Sequence, residues 1–152
     1  MAIRRLGRRV AVLAAMSLAC TGLAGCSFGG SAACPSWASY STPTEAAGHA
    51  TAVIAGHVAD KKGTVPMFNT SANVWTVEVD TWLKGTGATK VTVVSPPVSC
   101  NSTGDREVDP FETARSYPGV VMFLTKTKSG WQALSPTQGV VESSDGEIPR
   151  SW

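Results

Sequence analysis

The chain has 152 residues, with 13 basic and 11 acidic side chains and a formal charge of +2. The balance is uneven: Arg4, Arg5, Arg8 and Arg9 supply four of the positive charges, and from residue 26 onward nine basic residues face 11 acidic ones, a net of −2. That excludes a basic nucleic-acid-binding surface, while roughly 125 remaining residues suffice for one domain with one core.

Residues 1–25 read as an export signal. The four arginines head it, and Val10 to Leu18 is an apolar run rich in Ala, Val and Leu. The run is too short for the ~20 apolar residues that span a bilayer. A region of small residues ends at Leu23-Ala24-Gly25-Cys26. This stretch resembles the lipobox of bacterial lipoprotein signal peptides. The resemblance implies that a diacylglycerol is attached to the Cys26 thiol and that the chain is cut just before that residue. Small residues are needed there because an extended backbone must lie close to the processing enzyme. The thiol is needed because sulfur is the nucleophile that takes the lipid. Cys20 fits less well, since Ser17 stands where Leu is preferred. Neither arginine pair lies in a full twin-arginine motif, so a Sec-type signal is expected. Each buried acyl methylene contributes about 0.8 kcal/mol, and two chains anchor stably. The expected location is the extracytoplasmic face of the cell membrane, with the membrane as a partner through the lipid on Cys26.

On this reading Cys20 is removed and Cys26 lipidated, which leaves Cys34 and Cys100 of the four cysteines. In an oxidising compartment a disulfide between them is the default. It would close about 66 residues and stabilise by roughly 4 kcal/mol in the chain-entropy model. A metal site or a redox pair remains as an alternative, although neither has CxxC spacing behind it.

Residues 26–33 form the lipidated cysteine and a tether of small residues that averages on the order of 15 Å. The domain is expected over 34–142. Thr42-Pro43-Thr44-Glu45 has the form of a capping box with Pro at the first helical position, predicting a short helix from Pro43 to about His49. Thr51 to Ala59 is a strand with a bulge or bend at Gly56. Asp60 to Asn69, with Lys61, Lys62, Gly63 and Pro66, reads as a loop. Asn73 to Leu83 is the clearest strand: Trp75, Val77, Val79, Thr81 and Leu83 alternate with Val74, Thr76, Glu78, Asp80 and Trp82. A turn at Lys84 to Gly87 leads to a strand over Lys90 to Ser95, stopped by Pro96-Pro97. Residues 101–118 form a long polar segment with a helical turn near Phe111 to Arg115; loops of this length often carry function. Val120 to Thr125 is a buried-type strand, Lys126 to Gly130 a hairpin turn, Trp131 to Leu134 its partner and Gly139 to Glu142 one more short strand. The tail, 143–152, is polar and expected to fray apart from Ile148 and Trp152.

Catalytic chemistry has little to work with. There is no HExxH, no GxSxG and no P-loop, and His49 and His57 are the only histidines. No catalytic residue, metal or cofactor is expected. Glu78 and Asp80 share one face of a strand, where a solvated surface is the plainer reading than acid–base work. Trp75 falls in the apolar register and Trp82 in the polar one, so Trp82 is the tryptophan placed for an exposed contact.

The order of these pieces resembles the netrin-like domains, including tissue inhibitors of metalloproteinases and their small bacterial relatives. The match rests on Cys34-Pro35, Ala52 to Val58 around Gly56, Trp75 to Val79 with Trp82-Leu83-Lys84-Gly85, Cys100, and Val121 to Leu124. It covers Cys34 to about Leu134 and implies a five-stranded OB-type barrel. In the eukaryotic inhibitors a free N-terminal cysteine chelates the protease zinc. Cys34 lies behind a tether, so its nitrogen is a peptide amide and that mechanism does not carry over.

The expectation is therefore an all-β, OB-like five-stranded barrel with a short N-terminal helix, stapled by Cys34 and Cys100. An immunoglobulin-like sandwich is the alternative fold. The expected role is a non-catalytic binding module for an envelope protein or glycan, using Trp82, Glu78, Asp80, Arg106 and Phe111. The rival roles are a thiol-redox or metal-binding protein using Cys34, Cys100, His49 and His57, and a netrin-like protease inhibitor.

Overall fold

In the computed structural model, which describes residues 36–68, 70–98 and 108–152, the first helix forms where its capping residues place it. Helix α1 (Pro43–His49) starts at Thr42, whose hydroxyl accepts the Glu45 amide at 3.1 Å. The Glu45 carboxylate accepts the Ser41 amide at 2.7 Å, one residue beyond the cap. Both contacts satisfy donors left free at a helix start. At the other end the Lys84 ammonium donates to the carbonyls of Ala47 and Gly48 at 2.8 and 3.1 Å, where the helix dipole favours a cation.

Six strands follow: β1 (Ala52–Met67), β2 (Thr70–Lys84), β3 (Lys90–Ser95), β4 (Val120–Thr127), β5 (Gly130–Ala133) and β6 (Val140–Glu142), with helix α2 (Pro110–Ala114) between β3 and β4. The sheet order is β1-β2-β3-β5-β4-β6, and β1 also pairs with β4. That extra pairing closes β1, β2, β3, β5 and β4 into a ring in which only β3 and β5 run parallel. This is an OB-like five-stranded barrel with a short N-terminal helix. β6 takes the part of the β4 edge that β5 leaves free. Among the described residues no helix is long and apolar enough to cross a membrane.

The barrel interior holds Ile54, Trp75, Val77, Val93, Met122 and Leu124, joined by Phe111 and Ala114 of α2. Val53, Ala55, Val121 and Phe123 point outward from β1 and β4, where Tyr40, Ala46, Ala50 and Ile148 cover them. Both faces of β1 from Ala52 to Gly56 and of β4 from Val120 to Leu124 are therefore buried, which is why these stretches read as unbroken apolar runs.

Three expectations need correction. Residues 60–67 are strand, not loop: β1 runs on through Met67, paired with Thr70 to Trp75 across two register shifts. Pro66 is tolerated there because β1 has β4 beside it only as far as Gly56, so beyond that point its second edge carries no ladder. The 143–152 tail holds at Ser143 as well as at Ile148 and Trp152, the two residues expected to pack. Ser143 is buried, Ile148 rests on the outer core, and Trp152 meets Phe123 edge-on at 5.7 Å while its indole N–H donates to the Tyr40 carbonyl at 2.8 Å. Finally, Phe111 is wholly buried, so it belongs to the core and not to a binding surface.

Gly56 behaves as the sequence predicts. It lies at a register shift between β1 and β2, and a Cβ there would run into the backbone carbonyl of Glu78. Only glycine lets the two strands approach this closely.

Candidate functional site

Across β1, β2 and β3 a row of exposed charged side chains crosses the outer face. Glu78 stands opposite Lys90 on β3 and opposite His57 on β1. Its carboxylate meets the Lys90 ammonium at 3.1 Å. Asp80 takes the other partner, with 3.2 Å from its Oδ2 to His57 Nε2. The two carboxylates are thus engaged by separate partners and do not form an acid–base pair. Exposed pairs of this kind contribute about 0–1 kcal/mol to stability, so the row acts mainly as a surface charge pattern.

Asp80 and His57 also line a shallow cleft of about 390 Å³ where this face meets the turn after β6. Gly56 and Gly119 form part of its wall, Leu83 adds an apolar edge, and Asp145 and Glu147 add acidic groups. Leu83 is 39% exposed. Asp145 is held below the ordinary aspartate value of 3.8, first by the Glu147 amide it accepts and then by the Ser143 hydroxyl. The cleft therefore combines fixed negative charge with a small apolar patch.

Trp82 does not sit where strict alternation places it. Val79 pairs with Gly56 and Thr81 with Ala55, so Asp80 is an extra residue on β2. One extra residue reverses the side-chain phase. Trp82 therefore turns toward the core, half-buried against the barrel interior and stacked on Trp131 with ring centroids 5.7 Å apart. Its indole N–H donates to the Ala88 carbonyl at 3.3 Å, and a Cβ at Gly87 would run into its ring. The Lys126 ammonium sits 4.3 Å from the Trp131 ring centroid. Trp82 is thus chiefly a packing residue, and Leu83 replaces it as the exposed apolar group on this side.

A polar centre that pattern reading missed lies at Asp109. Its Oδ2 accepts from Asn73 Nδ2 at 2.6 Å and from Trp75 Nε1 at 2.9 Å. Its Oδ1 accepts from Ser95 Oγ at 2.7 Å and from the Phe111 amide at 2.9 Å, making it the N-cap of α2. One carboxylate thereby ties α2 to β2 and β3 and satisfies the indole of a fully buried tryptophan. The arrangement is structural, because every partner belongs to the fold.

His49 stacks on Tyr40 at 5.3 Å, whereas His57 pairs with Asp80. Among the described residues no three His, Cys, Asp or Glu side chains converge on a point where a metal would bind. The signal, the lipobox Leu23, Ala24 and Gly25 with Cys26, the tether, Cys34, Cys100 and Arg106 lie outside the described residues. Compared with family models, with curated proteins and with solved structures, the chain shows no match.

Proposed function

We propose that the chain is a lipid-anchored extracytoplasmic protein of a bacterial envelope, whose netrin-like domain is a non-catalytic binding module for an envelope protein or glycan. The anchor rests on the arginine-headed apolar signal ending in Leu23-Ala24-Gly25-Cys26. The netrin-like assignment is supported by the OB-like strand order and by the glycine bend at Gly56. The observation that carries the binding role is the cleft between the β2 face and the turn after β6, where Asp80, Asp145 and Glu147 surround the exposed side chain of Leu83. An apolar contact rimmed by carboxylates fits a partner that offers a basic or amine-bearing group beside an apolar one.

Site-specific photo-cross-linking in living cells tests this. A photoreactive residue at Leu83 is expected to give a discrete cross-linked product that Asp80→Lys abolishes, while the same residue at Lys128, in the β4–β5 turn, gives none. No product from Leu83, or one indifferent to Asp80→Lys, rejects the cleft as the binding surface.

A further inference from the structure

The β1–β2 pair outruns the barrel. β4 accompanies β1 only between Ala52 and Gly56, and β3 accompanies β2 only from Asn73 onward. Residues Val65 to Met67 and Thr70 to Ala72 therefore form a two-stranded arm. At its tip Phe68 is 45% exposed and adopts φ 49°, a left-handed conformation that costs free energy in any residue with a Cβ. Trp37 meets this ring edge-on, with centroids 5.8 Å apart and planes at 75°. A left-handed φ is what a two-residue connection between the paired Met67 and Thr70 calls for, so the feature left to explain is a partly exposed aromatic pair at the end of the arm.

Position in the chain supplies the occupant. Trp37 follows Cys26 by 11 residues. Such a segment reaches at most about 40 Å when fully extended and on the order of 18 Å as a flexible chain. A lipid on Cys26 would therefore hold Trp37, and with it the arm tip, within a few nanometres of the bilayer. Tryptophan and other aromatic rings with one polar edge favour the headgroup layer of a membrane. We infer that the edge-on Trp37–Phe68 pair at the tip of the β1–β2 arm lies in the headgroup layer of the membrane that carries the anchor. It gives the domain a second point of contact with the membrane besides the lipid. The inference rests on the lipid-anchor proposal above.

The test uses the full chain, expressed in bacteria so that its signal is processed. The extracted protein is reconstituted into phosphatidylcholine–phosphatidylglycerol vesicles containing a phospholipid with brominated acyl chains, and quenching of its tryptophan fluorescence is read. The wild type is expected to be quenched. Trp37→Phe is expected to lose at least half of that quenching, Phe68→Ser to reduce it, and Trp131→Phe to leave it unchanged. Quenching that survives both Trp37→Phe and Phe68→Ser overturns the inference. So does an unquenched wild type that floats with the vesicles and carries an acyl mass on Cys26. A chain that neither floats nor carries that mass overturns the anchor and the inference together.

Discussion

Asp109 joins more of the molecule than any other polar side chain described above. It caps α2, holds the indole of Trp75 and the hydroxyl of Ser95, and binds the amide of Asn73. Trp75 and Ser95 are buried, so removing the carboxylate leaves two donors without a partner. Each orphaned donor costs about 1–3 kcal/mol. Asp109→Ala is expected to lower stability by about 3 kcal/mol in urea unfolding and to release α2, read as faster amide exchange at Phe111. Pattern reading had no means of finding this hub. Its partners lie up to 36 residues away in sequence, and an aspartate before a proline looks the same whether it caps a helix or decorates a loop. Asp145 gives a second prediction with a definite sign. Its carboxyl is held below 3.8 by the Glu147 amide and the Ser143 hydroxyl. A depressed folded-state value means that its stabilising contribution is present above the unfolded value and is lost as pH falls through the folded one. The turn over Ser143 to Glu147 should therefore keep its amide protection at neutral pH and lose it in acid below about pH 3.8. Asp145→Asn should show weaker protection at neutral pH and no acid transition. A pH-independent turn in the wild type would contradict this.

Elements with local signals were legible in the sequence, and those that depend on distant partners were not. α1 was readable because Thr42, Pro43 and Glu45 define its start within four positions, and β3 because Pro96 and Pro97 end it. The arm was hidden because Lys61, Lys62, Gly63 and Pro66 have the composition of a loop. Only pairing with β2 makes them a strand, and both their faces are largely exposed. The phase reversal at Asp80 was hidden for the same reason, since a bulge is a property of two strands and no single-strand pattern marks it. The C-terminal tail is the third such case. Gln138 holds the Tyr40 backbone on both sides, accepting its N–H at 2.8 Å and donating to its carbonyl at 2.9 Å, and Trp152 donates to the same carbonyl. These contacts join the segment that leads toward Cys26 to the end of the chain. Deleting residues 149–152 is expected to destabilise by about 1–2 kcal/mol through one lost hydrogen bond and one lost aromatic contact. Amide exchange should accelerate at Tyr40 while protection of β3 persists. Unchanged exchange at Tyr40 would mean that Gln138 alone holds the segment.

At the scale of the molecule, two parts of the chain carry different kinds of information. Under the proposal above, the first 26 residues concern location: positive charge, a short apolar run and a thiol placed as in a lipobox. The rest concerns shape, an OB-like barrel in which Ala52 to Gly56 of β1 and Val120 to Leu124 of β4 are buried on both faces and the outer face of β2 is left charged. Under the proposed anchoring, the segment between them, which includes Cys34, is the link between lipid and barrel. The cleft at Asp80 and Leu83 and the aromatic tip at Trp37 and Phe68 acquire their roles only if the chain is anchored where the first 26 residues direct it. The most direct test is a non-reducing peptide map of the protein extracted from membranes. The account predicts an N-terminal peptide that begins at Cys26 and carries a diacylglycerol mass, together with a cross-linked pair containing Cys34 and Cys100. A chain that begins elsewhere with an unmodified Cys26 thiol would contradict the anchor. Free thiols at Cys34 and Cys100 would remove the staple and favour redox or metal chemistry at those two residues.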